Sequence, residues 1–199
     1  MSGPRDWPHN LDAPHPEPSP SLLVEEGLEL RFPMESDASE LFLKIDSNRA
    51  YLREWLPWLD DVSSVEDEVM AIRRGVASGN GCMYLISLDE TIVGTLGLNA
   101  IDWDNRRFVI GYWLAEDCTG QGIISKCCLR LLEHCFEELH LHSVTILVAA
   151  ENFKSRAVAE RLGMRLEGIA KDREWLYDHF VDAAIYGLTQ PEWSAINQA

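Results

Sequence analysis

Between residues 82 and 114 three β-rich runs follow one another, CMYLISL (82–88), IVGTLGLNAI (92–101) and RFVIGYWL (107–114). Only DET and DWDNR separate them, so the runs are hairpin-linked and antiparallel. That meander excludes a doubly wound parallel sheet and makes the rest of the chain its cover. Ahead of it, LELRF (28–32) reads as a short strand. Ser36 or Asp37 is placed to cap a helix running to about Asn48, with Leu41, Phe42 and Ile45 on one face. YLREWLPWL follows and is broken at Pro57. Ser63 or Ser64 is placed to cap a second helix, with Glu66 and Asp67 in its first turn and Gly75 or Gly79 closing it.

Beyond the meander, the turn TGQG opens a helix to about Leu139. In it Ile124, Cys128, Leu131, Cys135 and Leu139 recur at threes and fours, the mark of a buried stripe. VTILVA (144–149) is a near-continuous apolar run, as a buried strand is. NFKSRAVAERLG (152–163) is a short helix that Gly163 can end, and MRLEGIA and FVDAAIYGLT are the last strands. The order is β, two helices, three β, α, β, α, two β, a mixed α/β (α+β) architecture.

At 199 residues one domain is expected. The first 22 residues hold six prolines, from Pro4 to Pro20, and read as an extended or disordered arm; the fold then occupies 23–199. Net charge is −16, from 33 acidic and 17 basic residues. A nucleic-acid or anionic-membrane partner is thereby disfavoured, and a cationic one attracted. The cysteines number five, without CxxC spacing, and four lie in apolar runs. They read as reduced core thiols, and with no signal-peptide core and no run of 18 apolar residues the expected location is cytoplasmic. No metal site is read: His140 and His142 near Cys135 lack a ligand spacing of their own.

The strongest local chemistry is Gly120-Gln121-Gly122 between a strand and a helix. Unpaired N–H groups at a helix start carry partial positive charge, and glycines let the main chain approach a phosphate. The turn is neither a Walker A loop nor a GxGxxG fingerprint, since Ser125 occupies the third glycine's place. Asn152 is placed as a helix N-cap, and Ser155 lies three residues on, on the same face.

These pieces together, IGYWLAEDCTGQGI, ENFKSRAVAERLGMRLEG, IDSNRAYLREWLPWLD and DREWLYDHFVDAAIYGLTQPEW, resemble the GCN5-related N-acetyltransferases (GNAT). More narrowly they resemble the RimJ/RimL group, over roughly residues 28 to 193. The resemblance implies a mixed, mostly antiparallel twisted sheet of about seven strands with helices on both faces, and acetyl-CoA as cosubstrate. It implies that Tyr112, Trp113 and Leu114 lie along the pantetheine arm. Thr119, Gly120, Gln121, Gly122, Ile123, Ile124 and Ser125 would hold the pyrophosphate. Asn152 would bond the pantetheine, and Ser155 would sit by the thioester sulfur as the group serving the leaving thiolate. Two departures stand out. Asp117 occupies the place of the usual Gln or Arg, with Lys126 the candidate to offset it, and Ala159 replaces a common tyrosine general acid.

Acetylation of an amine needs a base for the ammonium and a donor for the oxyanion. A strand N–H around Trp113 suits the second role. Glu174, in DREWLYD, is the expected base, with Trp175 and Leu176 to desolvate it; Asp102 and Glu116 are weaker candidates. Trp55, Trp58, Trp103, Trp175 and Tyr177 are candidates for an aromatic wall around a cationic amine, with Asp60 and Asp61 at its mouth. The expected activity is N-acetyl transfer to a primary amine, a protein α-amino group or another cationic amine, by a homodimer. The alternatives are an aminoglycoside or polyamine acetyltransferase and a non-catalytic acyl-CoA sensor.

Overall fold

The computed structural model describes residues 15–77 and 81–197. One open sheet of eight strands runs through them. In chain order the elements are β1 (Ser21–Glu25), β2 (Leu28–Arg31), α1 (Ala38–Ser47), α2 (Arg49–Leu52), α3 (Val65–Ala77), β3 (Cys82–Leu88), β4 (Thr91–Asp102) and β5 (Arg107–Leu114). Then come α4 (Ile123–Glu133), β6 (Ser143–Ala149), α5 (Phe153–Arg161), β7 (Arg165–Leu176), β8 (His179–Thr189) and α6 (Gln190–Asn197). The spatial order is β1-β2-β3-β4-β5-β6-β8-β7, and β5 with β6 is the only parallel pair described.

The meander is as the sequence predicts, and β3 shows how it divides the molecule. Its side chains alternate between faces. Leu85, with Met83 beside it, packs with Leu41 and Ile45 of α1 and with Trp113. Tyr84 and Ile86 join the larger core on the other face, with Cys128 and Leu131 of α4 and Cys135 in the turn that follows it. Helices therefore cover both faces.

Four local expectations are corrected. The sheet has eight strands rather than about seven, because SLLVE pairs with β2 across Gly27. Ser21 and Leu22 thus belong to the sheet rather than to the arm; five residues between prolines and Glu26 carry no pattern of their own. α6 was not expected; Pro191 is harmless in a first helical turn, and Trp193 buries against the core. β7 continues through DREWL to Leu176. β6 alternates rather than being buried throughout, with Val144, Ile146 and Val148 inside and Leu147 exposed.

The caps work slightly differently from expectation. Asp37 takes the Met34 N–H at 2.7 Å and both Arg31 nitrogens at 2.8 Å, so it organises the 3-10 turn ahead of α1. Ser64 caps α3, accepting the Asp67 N–H at 3.2 Å. Gly75 lies inside α3, and Gly79 is outside the described residues. So are residues 1–14 of the arm. The rest of the arm lies against the body: His15 stacks on Trp103 with ring centroids 4.7 Å apart, and Ser19 N–H donates to His134 Nε2 at 3.0 Å. All five thiols are free, with Cys127, Cys128 and Cys135 buried.

Candidate active site

β5 and β6 pair from Arg107↔Ser143 to Ile110↔Ile146, yet β5 runs on to Leu114 and β6 to Ala149. Two strands that stop pairing while both continue leave a wedge with unpaired main-chain groups on its sides. On β5 the antiparallel ladder decides which N–H groups point there. Ala115 N–H bonds Val93 C=O, and register with β4 is regular through Trp113↔Thr95. Alternation then turns the Trp113 N–H toward β4 and those of Tyr112 and Leu114 toward the wedge. Of the strand N–H groups around Trp113, those of Tyr112 and Leu114 are therefore the ones free to serve an oxyanion.

α5 begins where β6 ends. Asn152 is its N-cap: the side-chain oxygen accepts the Ser155 N–H at 3.0 Å. The Ser155 hydroxyl lies 2.9 Å from the Tyr112 hydroxyl, which also donates to the Ser155 carbonyl at 3.2 Å. Burial pushes the Tyr112 phenol up from its ordinary value, so it stays a neutral donor. The Tyr112–Ser155 pairing spans 43 positions and was not legible in advance.

Across the wedge, Gly120 and Gly122 sit at φ +76° and +79°, and Gly122 is the N-cap of α4. An L side chain is strained there, and a Cβ at either position would meet nothing within 4 Å. The glycines therefore open onto space. That space is a cavity of about 730 Å³ running from Tyr51 and Trp55 past Tyr112–Leu114 and the glycine turn to Asn152, Ser155 and Arg161. Its charged lining groups are Lys154 and Arg161, without one carboxylate, in a chain of net charge −16. Arg161 reaches Ser125 Oγ at 3.4 Å. Neither cation was expected; Ser155, Val158 and Arg161 at steps of three were the available signal for the second.

Within the turn, Thr119, Ile123, Ile124 and Ser125 line the cavity. Gln121 is exposed and donates to the Asp117 carbonyl at 3.2 Å. Asp117 is exposed and does not line the cavity. Lys126 pairs with Glu25 at 2.7 Å, so it does not offset Asp117.

A second cavity, of about 550 Å³, lies between α1, α3 and the face of β4 and β5. It meets the first at Leu56, Tyr112 and Trp113. Trp58, Asp61, Asp67, Glu68 and Arg74 line it. Glu68 is 4% exposed, and burial, with the charge of Asp67, pushes its carboxyl up to about 6. Sequence reasoning missed it, because VEDEV reads as a solvated acidic first turn. A third cavity, of about 710 Å³, touches the first at Trp55. Glu54 and Glu151 line it as exposed carboxylates, and its other charged groups pair with one another. Arg53 holds Asp60 at 2.9 and 3.1 Å and lies 3.7 Å over the Tyr177 ring; Tyr177 donates to the Leu56 carbonyl; Asp178 and His179 pair at 2.6 Å.

Three expected site residues fall elsewhere. Glu174 is exposed on β7 opposite Val181 and lines none of the three cavities, so Trp175 and Leu176 do not desolvate it. Trp175 is 52% exposed and edge-on to Phe180. Trp103 is covered by His15 of the arm. Of the weaker bases, Asp102 is engaged by Asn105 and Arg107, and Glu116 is exposed.

The description of the acetyltransferase (GNAT) domain matches residues 27–165 of the chain. The chain belongs to the GNAT acetyltransferase family. It is 34% identical over 173 residues to the ribosomal-protein-serine acetyltransferase of Escherichia coli (strain K12), covering 83% of this chain and 94% of that one. Among solved structures it is similar to RimL, a ribosomal L7/L12 α-N-protein acetyltransferase in complex with coenzyme A. There the TM-score is 0.82 at 32% identity, over 85% of this chain and 97% of RimL. It is also similar to the microcin C7 self-immunity acetyltransferase MccE, in complex with acetyl-CoA and AMP, with TM-score 0.80, 27% identity and coverage of 83% and 94%.

The GNAT enzymes use acetyl-CoA, and the residues of this one fit it. The glycine turn and the start of α4 offer N–H groups to a pyrophosphate, Lys154 and Arg161 supply the cations in an acidic chain, and the wedge offers strand edges to the pantetheine. No described helix is long and apolar enough to cross a membrane.

Proposed function

We propose that this acetyltransferase transfers the acetyl group of acetyl-CoA to the α-amino group of a protein N-terminus. The observation carrying the reading is the division of charge between two cavities meeting at Tyr112 and Trp113. One is cationic and suited to a phosphorylated cosubstrate; the other holds three carboxylates against one arginine and is suited to an ammonium. Relatives named for ribosomal-protein N-termini supply the acceptor class.

Acetyl-CoA supplies an activated carbonyl in the wedge. The Tyr112 and Leu114 N–H groups are placed to donate to its oxygen as charge develops there. Ser155, held by the Asn152 cap and the Tyr112 hydroxyl, gives a proton to the departing sulfur. The sensor alternative rested on Asp117 and Ala159. Asp117 stands outside the cavity, and the Ser155–Tyr112 pair provides the hydroxyl that Ala159 lacks.

The test is free-thiol release from acetyl-CoA with N-terminal peptides beside aminoglycosides and polyamines, with mass spectrometry locating the acetyl group. Release with peptides and acetylation at the α-amine are expected; release with the small amines alone would refute the acceptor class. The same reading puts the enzyme in the cytoplasm, as a homodimer. Leu166, Ile169, Trp175 and Phe180 on the β7–β8 hairpin are exposed apolar groups suited to an interface. Sedimentation at micromolar concentration should show a dimer, and a clean 22.6 kDa species would refute it.

A further inference from the structure

We propose that the cavity between α1 and α3 receives the acceptor amine and that Glu68 takes the proton from its ammonium. The proposal rests on the acetyl-transfer reading above. Glu68 is 4% exposed at the cavity wall; no hydrogen bond or ion pair is described for its carboxylate, whose oxygens are not fully enclosed and so reach the cavity. A buried carboxylate left unpaired costs free energy unless something positive joins it. The cavity, of about 550 Å³, meets the cosubstrate cavity at Leu56, Tyr112 and Trp113. An amine seated there lies next to the wedge rather than across the sheet from it.

The surroundings select for a cation. The other charged lining groups are Asp61, from the 3-10 turn before α3, and Asp67 and Arg74 on α3 itself. Asp67 is occupied by Ser63 and Ser64, which hold its carboxyl below the ordinary value. α1, β3, β4 and β5 bring no charge; their polar side chains there are Thr95, Asn99 and Tyr112, whose hydroxyl is turned to Ser155. Asn99 lies flat over the sheet because Gly97 and Gly111 leave room: a Cβ at those positions would come within 2.7 and 3.0 Å of its amide. Glu68, with its carboxyl at about 6, is ionised yet basic enough to accept a proton near neutrality. The rival groups are worse placed: Glu174 is exposed, and in the third cavity Asp60 and Asp178 are paired with Arg53 and His179 while Glu54 and Glu151 are exposed.

The proton balance closes. The ammonium gives one proton to Glu68, and the freed lone pair forms the C–N bond. A second amine proton leaves as the C–S bond breaks, replacing by way of Ser155 the proton that the sulfur takes up. Glu68 then releases its proton to water, so the net products are amide, thiol and one proton.

Glu68→Gln is nearly isosteric and is compared with wild type and Glu174→Gln, using acetyl-CoA and an N-terminal peptide. In Glu68→Gln, kcat/KM should fall about 100-fold and the acidic limb near pH 6 should vanish, with rate recovering as pH rises. Glu68→Asp should restore part of the rate. Cofactor-induced thermal stabilisation should stay at the wild-type value. A Glu68→Gln enzyme with wild-type turnover and pH profile would overturn the proposal, as would loss of the limb in Glu174→Gln instead. If wild type releases no thiol with any amine, the acetyl-transfer reading has failed. Calorimetry of peptide binding to the coenzyme A complex then decides the cavity's role. A tenfold or greater loss in Glu68→Gln supports it, and equal affinity overturns it.

Discussion

Glu68 and Gly122 show how much one position can carry. A carboxyl at about 6 rather than the ordinary 4.5 means that the folded state binds this proton more tightly than the unfolded chain does. Its ionisation therefore opposes folding: the penalty is absent below about pH 4, grows between 4.5 and 6, and is complete above. Glu68→Gln should then be more stable than wild type by about 2 kcal/mol at pH 7.5 and equal to it at pH 4. Urea unfolding at the two pH values checks this, and a variant less stable at pH 7.5 would contradict it. Gly122 concerns space rather than charge. Its φ of +79° costs a β-branched residue about 1–3 kcal/mol, and the new side chain would point into the open cradle. Gly122→Val should fold with a lowered Tm and lose the stabilisation that acetyl-CoA confers. Retention of that stabilisation would rule out the turn as the binding site.

At the level of elements, α5 has two jobs that mutation separates. Asn152 caps the helix, so Asn152→Ala should cost about 1 kcal/mol of stability whatever it does to the cosubstrate. The Ser155 side chain makes its hydrogen bond to Tyr112, whose hydroxyl keeps the Ser155 carbonyl as acceptor. Ser155→Ala should leave cosubstrate affinity nearly intact while turnover and kcat/KM fall together by about 10²-fold or more. Single-turnover kinetics separates this from slow product release, and undiminished chemistry would remove Ser155 from the reaction. On the α4 side Asp117 points to water. Asp117→Gln should change acetyl-CoA affinity by less than about 1 kcal/mol, as exposed charges do. A gain well above tenfold in calorimetry would mean that the carboxylate faces the pyrophosphate.

For the molecule as a whole, the arm ties to two segments of the body that lie far from it in the chain. Ser19 accepts the Tyr84 hydroxyl at 2.8 Å through its carbonyl and donates to His134, 115 positions away. Tyr84 is fully buried on β3, so removing Ser19 takes away the carbonyl to which its hydroxyl donates. Deleting residues 1–19 should cost about 2 kcal/mol more than deleting residues 1–14. Equal unfolding midpoints for the two truncations would show that the docked arm contributes nothing.

What the sequence determined by itself is local. Hairpin spacing made the meander antiparallel, and the φ > 0 glycines marked the turn before α4. Asn152 with Ser155 marked the start of α5, since caps and turns depend on neighbours a few positions apart. The family resemblance extended this to the sheet, the helices on both faces and the cosubstrate. Tertiary structure alone decided the rest. β1 and α6 exist because β2 and the core receive them, not because SLLVE or QPEWSAIN has a pattern. Glu174, followed by Trp175 and Leu176 in the chain, is exposed, while Glu68, preceded by Glu66 and Asp67, is buried at the wall of the cavity between α1 and α3. Lys126 is drawn off to Glu25, and Arg161 takes its place at the cavity. In each case burial and charge pairing are set by segments tens of residues away, and desolvation, which shifts a carboxyl or orients a hydroxyl, has no local signature.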